Sequence, residues 1–160
     1  MNIRYVTMVD LPQLVAIERR CFTAQEAATE EALEKRIKTI PDSFLVAEEE
    51  EAIVGYINGP VIETAYITDD LFEESAPNPS VGGHQSVLGL AVSPHAQHRG
   101  VATALLTTLE QEAKKQNRET MTLTCKAVLI QFYKKLGYTN TGVADSTHGG
   151  ATWYNLIKRL

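Results

Sequence analysis

The chain reads as a single α/β domain spanning residues 1–160, and three observations predict it. Strand and helix patterns alternate from end to end, with no internal repeat and no low-complexity linker. The run Val87-Leu88-Gly89-Leu90-Ala91-Val92 is apolar on both alternating faces, the pattern of a strand covered on both sides, and a helix follows it with Ala102, Leu105, Leu106, Leu109 and Ala113 at three- and four-residue steps. A length of 160 residues suits one domain with a substantial core.

Taken in order, Ile3 to Thr7 forms a first strand. Asp10 caps a first helix that tolerates Pro12 in its opening turn and turns Leu14, Ile17 and Cys21 inward. Thr29 caps a second helix running to Thr39, stopped by Pro41. Ser43 to Ala47 and Ile53 to Ile57 make an antiparallel pair around the acidic turn Glu48 to Glu51, whose glutamates read as a solvated hairpin tip. From Glu63 to Gln85 the pattern breaks, with a helical turn at Asp69 to Glu74 and an irregular path forced by Pro77, Pro79, Gly82 and Gly83. A loop this long in a compact domain forms a lid or a binding wall. After the Val87–Val92 strand and its helix come a strand at Thr120 to Cys125, a short helix at Val128 to Leu136 closed by Gly137, and strands at Tyr138 to Val143 and Thr152 to Lys158. Ser146-Thr147-His148-Gly149-Gly150 joins the last two strands. The result is a mixed, largely antiparallel sheet flanked by helices.

Composition narrows the function. Lys and Arg number 15 against 20 Asp and Glu, a net charge of −5 that argues against a nucleic-acid partner and is compatible with a cationic amine. Cys21 and Cys125 stand alone, without zinc spacing or a disulfide framework, so no metal is expected and both read as buried thiols of a reducing compartment. The start MNIRYVTMVD has no signal-peptide character and no apolar run approaches the length of a membrane span, which makes the cytoplasm the expected location and a membrane partner unexpected.

The chemistry concentrates in Gln97-His98-Arg99-Gly100-Val101-Ala102, between strand and helix. Gly100 removes the side chain where a ligand would touch main chain, Ala102 keeps the approach open, and free N–H groups at a helix start suit a phosphate. This Q-x-x-G-x-A turn after Leu90-Ala91-Val92 resembles the acyl-coenzyme A pyrophosphate loop of the GNAT N-acetyltransferases. Phe132-Tyr133-Lys134-Lys135-Leu136-Gly137-Tyr138 resembles the same family at the expected place downstream. Within it the chain looks most like the arylalkylamine N-acetyltransferases, through Ile17-Glu18 to Cys21-Phe22, Pro41 to Ala47, Val87 to Leu106, and Cys125 to Tyr138.

The resemblance implies a GNAT-like fold and acetyl transfer from acetyl-CoA, as co-substrate, to a small primary amine attacking directly, in a monomer or homodimer. It assigns the pantetheine arm to main-chain groups of Leu90, Ala91 and Val92. The pyrophosphate falls to amides from His98 to Thr103, that is His98, Arg99, Gly100, Val101, Ala102 and Thr103, with side-chain help from Gln97 and Arg99. Tyr133 takes the family position of the acid that protonates the departing thiolate, a role a neutral phenol can fill. Vertebrate arylalkylamine enzymes carry two histidines on the diagnostic strand where this chain has Ser86 and Leu88, so His84 and His148 inherit the role of base, with Glu18 and Glu63 as less specific candidates. Lys126 stands where many members place an asparagine, and either attracts a coenzyme phosphate or is solvated. A protein or peptide acetyltransferase with an open groove and a non-catalytic acyl-CoA sensor are the alternatives.

Overall fold

The computed structural model describes residues 1–72, 76–146 and 148–160. Its strands are β1 (Asn2–Tyr5), β2 (Phe44–Glu49), β3 (Ala52–Asn58), β4 (Val61–Ile62), β5 (His84–Val87), β6 (Gly89–Val92), β7 (Thr120–Cys125), β8 (Thr139–Val143) and β9 (Tyr154–Arg159). The helices are α1 (Leu11–Cys21), α2 (Glu30–Thr39), α3 (Val101–Lys115) and α4 (Ile130–Lys135). Apart from β4, which has no counterpart in the sequence reading, the elements fall where periodicity puts them, with ends moved by one to three residues. The helical turn expected from Asp69 to Glu74 is seen at Asp69–Phe72, Glu73 and Glu74 lying outside the described residues.

Two local differences have clear causes. Asp10 does not cap α1 through its side chain; its carboxylate accepts instead from both Arg4 guanidinium nitrogens (2.8 and 2.9 Å) and from the Thr7 amide (2.8 Å), closing a short 3₁₀ turn. The acidic hairpin is not wholly solvated, because Glu48 accepts from Arg4 and Glu49 from Arg99, leaving Glu50 and Glu51 as the exposed tip with positive φ. Thr29 caps α2 as expected, its hydroxyl accepting from the Ala32 amide at 3.1 Å.

The strands form two sheets, β1-β2-β3-β6 and β4-β5-β7-β9-β8, and every ladder is antiparallel except β5 with β7. The apolar run Val87 to Val92 is therefore not one uniform strand. It changes sheets at Leu88, whose amide donates to the Asn58 carbonyl at 2.8 Å. Before that point β5 lies against β7, with Val87 opposite Leu123; beyond it β6 pairs with β3 while β7 continues beside β9. Two strands that begin side by side thus part company, and a wedge opens between β6 and the end of β7.

The first sheet is covered on both faces, as the strand alternation demands. Phe44 and Val46 of β2 join Leu14, Ile17, Leu33, Ile37 and Tyr56 beneath α1 and α2. Leu45 and Ala47 point the other way, toward Leu105, Leu106 and Leu109 of α3, in a core that continues through Met121, Leu123, Tyr133 and Leu156. Helix α3 lies close because Gly55 has no side chain: a Cβ there would sit 2.9 Å from the Ala91 carbonyl and 3.3 Å from Val101 and Leu105.

Candidate active site

The wedge between β6 and β7 continues into a cavity of about 860 Å³, toward the top of the ~300–1,000 Å³ range usual for small-molecule sites. Leu88 and Leu90, the half-buried residues of the diagnostic strand, form one wall and Leu123, Thr124 and Cys125 face them. Glu18, Cys21 and Phe22 contribute from the end of α1, Arg36 from α2, Tyr133 from α4, and Lys126 and Trp153 from the rim.

At the far end of β6 the chain turns back into α3. Gln97 donates from its side chain to the Val92 carbonyl at 3.0 Å, which ties the turn to the strand end. His98 and Gly100 both have positive φ, 65° and 82°, and Gly100 occupies the N-cap of α3. Among the described residues nothing accepts from the His98, Arg99 and Gly100 amides, and the amides of Val101, Ala102 and Thr103 have no carbonyl one turn back within the helix. Positive-φ turns and a helix N-terminus together gather donors for an anion. A Cβ on Gly100 would meet nothing within 4 Å. Glycine here serves the left-handed backbone and leaves the approach open. Arg99 does not stand free, since its guanidinium holds Glu49 at 2.7 Å.

Tyr133 is 6 % exposed, packed edge-on against Phe132 and Tyr138 with ring centroids 5.0 and 5.7 Å away. Burial pushes its phenol far above the ordinary value, and neighbouring Cys125, itself pushed up to about 11 by burial, adds to the effect. The hydroxyl has no hydrogen-bond partner among the described residues.

Glu18 is the buried carboxyl group of the cavity wall, accepting from the Tyr56 hydroxyl at 2.7 Å and the Ala28 amide at 3.2 Å. Glu63 lies exposed, outside the lining. His84 is also not brought to the cavity. It begins β5, at the end away from Leu88, with Nδ1 2.8 Å from the Thr120 hydroxyl and Nε2 3.1 Å from Glu119. His148 opens the turn His148–Gly150, and its side chain lies outside the described residues. That turn abuts the cavity rim, because a Cβ on Gly149 would come within 2.5 Å of Glu26. Lys126 keeps an exposed side chain, but it is engaged: it pairs with Glu26 and lies 5.9 Å from the Trp153 ring centroid. Cys21 is half-buried rather than buried, its thiol donating to the Val92 carbonyl at 3.3 Å.

The loop from Glu63 to Gln85 divides its work. Its first half is anchored beside the cavity, where Asp69 and Phe72 join the lining: Thr122 donates to the Ala65 carbonyl (2.6 Å), Ser146 to Asp69 (2.6 Å) and Arg36 to the Phe72 carbonyl (3.0 Å). Its second half packs elsewhere, with Asn78 holding Val61, Asp42 and Ser43.

Residues 11–138 of this chain match the model of one family, described as the acetyltransferase (GNAT) family. The chain belongs to that family. It is a CoA-thioester-dependent N-acetyltransferase by membership, and acyl-CoA is its co-substrate. Three solved structures illustrate the breadth of the fold. A GphF GNAT-like decarboxylase in complex with isobutyryl-CoA superposes with a TM-score of 0.82 at 20% identity, over 99% of each chain. The ribosomal-protein-alanine N-acetyltransferase of Brucella melitensis gives 0.71 at 20% identity over 100% of each. Naa50 of Arabidopsis thaliana, in complex with a bisubstrate analogue, gives 0.77 at 17% identity over 99% of this chain and 98% of that one. No curated protein matches the sequence. Among the described residues, no helix is long and apolar enough to cross a membrane and no side-chain group is arranged to hold a metal ion.

Sequence reasoning missed Arg36, yet a signal was there. Leu33, Arg36, Ile37 and Ile40 share one face of α2 at helical spacing, so the arginine stands in an apolar stripe, and it is 2 % exposed.

Proposed function

We propose that the acceptor is a small primary amine with an apolar or aromatic body, of the arylalkylamine kind, acetylated by direct attack on the thioester. The supporting observation is that the loop anchored by the Ala65, Asp69 and Phe72 contacts contributes Asp69 and Phe72 to the cavity wall, leaving room beside Leu88, Phe22 and Trp153 for a small apolar body. The peptide acetyltransferases among the structural neighbours share this fold at identities that carry no substrate assignment.

In this proposal the turn from His98 to Thr103 holds the pyrophosphate, and main chain of Leu90 to Val92 holds the pantetheine arm. The ammonium of the acceptor loses one proton toward the Glu18 carboxyl group. The freed nitrogen forms the C–N bond, the C–S bond breaks, and Tyr133 protonates the departing thiolate. The second nitrogen proton returns to the Tyr133 phenolate, so one proton leaves overall. Glu18, one of the less specific candidates, takes the place first given to His84 and His148. His148 stays in the proposal as a rim residue through the position of its turn.

Thiol release from acetyl-CoA, followed with phenylethylamine-like amines, polyamines and peptides across pH, tests the reading. The small arylalkylamines are expected to show the highest kcat/KM. A clear preference for peptides overturns the small-acceptor assignment, and a pH profile unaltered in His148→Ala removes that histidine.

A further inference from the structure

Among the described residues, Arg36 is a buried cation with no carboxylate bonded to it. Its guanidinium has five N–H donors, and the acceptors it meets are neutral: the Asn58 side-chain oxygen at 3.3 Å and the Phe72 carbonyl at 3.0 Å. Nε is buried and meets no acceptor, nor does the amide nitrogen of the adjoining Asn58. Among the described residues, Glu18 and Tyr56 are the titratable groups that act on it electrostatically, and their polar atoms are bonded to each other. Burying a charge is costly unless it is paired and hydrogen-bonded. Two orphaned donors side by side mark a place where the fold has left an anion to be supplied.

The position is the telling part. Asn58 lies opposite Gly89, whose missing Cβ would stand 3.3–3.4 Å from the Asn58 amide, and its carbonyl accepts from Leu88 where the diagnostic strand changes sheets. Arg36 forms part of the cavity wall, with Lys35 beside it, and Asn58 lies fully buried behind that wall. We infer that Arg36, held from behind by Asn58, is a carboxylate-binding residue of the reaction cavity, so that one of the two reactants carries a carboxylate. Guanidinium suits that group through paired N–H donors. The carboxylate belongs either to the acceptor, making it an amino acid, or to the acyl group, making it a dicarboxylic thioester. The first arm rests on the small-amine reading; the second does not.

Two matched pairs decide between the sources. Phenylalanine against phenylethylamine, each with acetyl-CoA, is measured by kcat/KM for thiol release; malonyl-CoA against acetyl-CoA is measured by calorimetric Kd. The carboxylated member is expected to win by ~10-fold or more in one pair, the scale of a charged hydrogen bond. In Arg36→Met that ratio falls to about one, and in Arg36→Lys, which keeps charge but loses the fork, part of it survives. If Arg36→Met does not fold, a ratio severalfold lower in Arg36→Lys supports the site and an unchanged one overturns it. Equal values within both wild-type pairs, or a preference undiminished in folded Arg36→Met, overturn it as well and leave Arg36 as a pin for Phe72. A chain that acetylates peptides and neither small acceptor refutes the small-amine reading alone, and the thioester pair then decides the site.

Discussion

Replacing Tyr133 with phenylalanine removes one oxygen and nothing else, and the structure separates its effect on stability from its effect on chemistry. The ring keeps its edge-on contacts with Phe132 and Tyr138, and the lost hydroxyl leaves no protein partner behind among the described residues. With no bond broken and one less polar group buried, stability should change by less than about 1 kcal/mol. If the phenol protonates the departing thiolate, the barrier loses the contribution of a general acid, ~10²-fold or more in turnover, or about 2.7 kcal/mol. Acetyl-CoA affinity should move little. Because burial holds the phenol protonated well past its ordinary value, its loss of function as an acid lies above about pH 10 and leaves the neutral range flat. Single-turnover thiol release at saturating acetyl-CoA isolates the chemical step, and urea unfolding measures stability in the same preparation. A folded Tyr133→Phe chain with the wild-type single-turnover rate would refute the assignment and leave the tyrosine as a wall of the cavity.

Glu18→Gln should lower kcat/KM for the acceptor by ~10²-fold, whereas His84→Ala, held apart from the cavity by Thr120 and Glu119, should leave the pH profile of turnover unchanged; steady-state kinetics giving the reverse order would return the base to His84. Gly59→Ala should destabilise by about 3 kcal/mol or more in urea, because the new Cβ would lie 2.1 Å from the Ser86 carbonyl oxygen, which no rotamer change relieves. Burial raises the Asp10 carboxyl pKa, but the bonds from Arg4 and Thr7 outweigh it and hold it below the usual carboxylate range. Its stabilisation is therefore full above about pH 4 and lost as pH falls through the lowered folded value. Asp10→Asn should lower stability at pH 7 by about 2 kcal/mol and flatten the acid limb below pH 4, measured by urea titration at several pH values.

The fold was legible because its signals are local. Period-two runs at Phe44 to Ala47 and period-three-to-four runs at Leu105 to Ala113 each state which faces are buried, and the structure buries those faces. The sheet change at Leu88 was not legible, because the apolar run is uninterrupted there and the break is made by pairing with distant Asn58 and Leu123. The donor-rich turn could be read from Gly100, whose positive φ is a backbone demand that glycine meets at low cost. Roles that depend on what a side chain meets in space were not readable. Lys126 and Glu26 are a hundred residues apart and form a rim pair, while His84, one strand turn from the expected base position, is taken by β7 neighbours. Arg36 sits between these cases: the helical stripe carried an unread signal of a buried charge, and only the packing shows that, among the described residues, no carboxylate is bonded to it.

The account turns on the coenzyme being held at the turn from His98 to Thr103, and calorimetric titration of acetyl-CoA into wild type, Gly100→Ala and Gly100→Glu tests that most directly. Both substitutions enter open space, so both chains should fold, each bearing about 1–2 kcal/mol of left-handed backbone strain. Only glutamate sets a negative charge against the pyrophosphate, where repulsion at close range amounts to a few kcal/mol. Affinity should therefore fall by at least ~100-fold in Gly100→Glu and remain measurable in Gly100→Ala. Wild-type affinity in a folded Gly100→Glu chain would contradict the placement of the coenzyme at this turn.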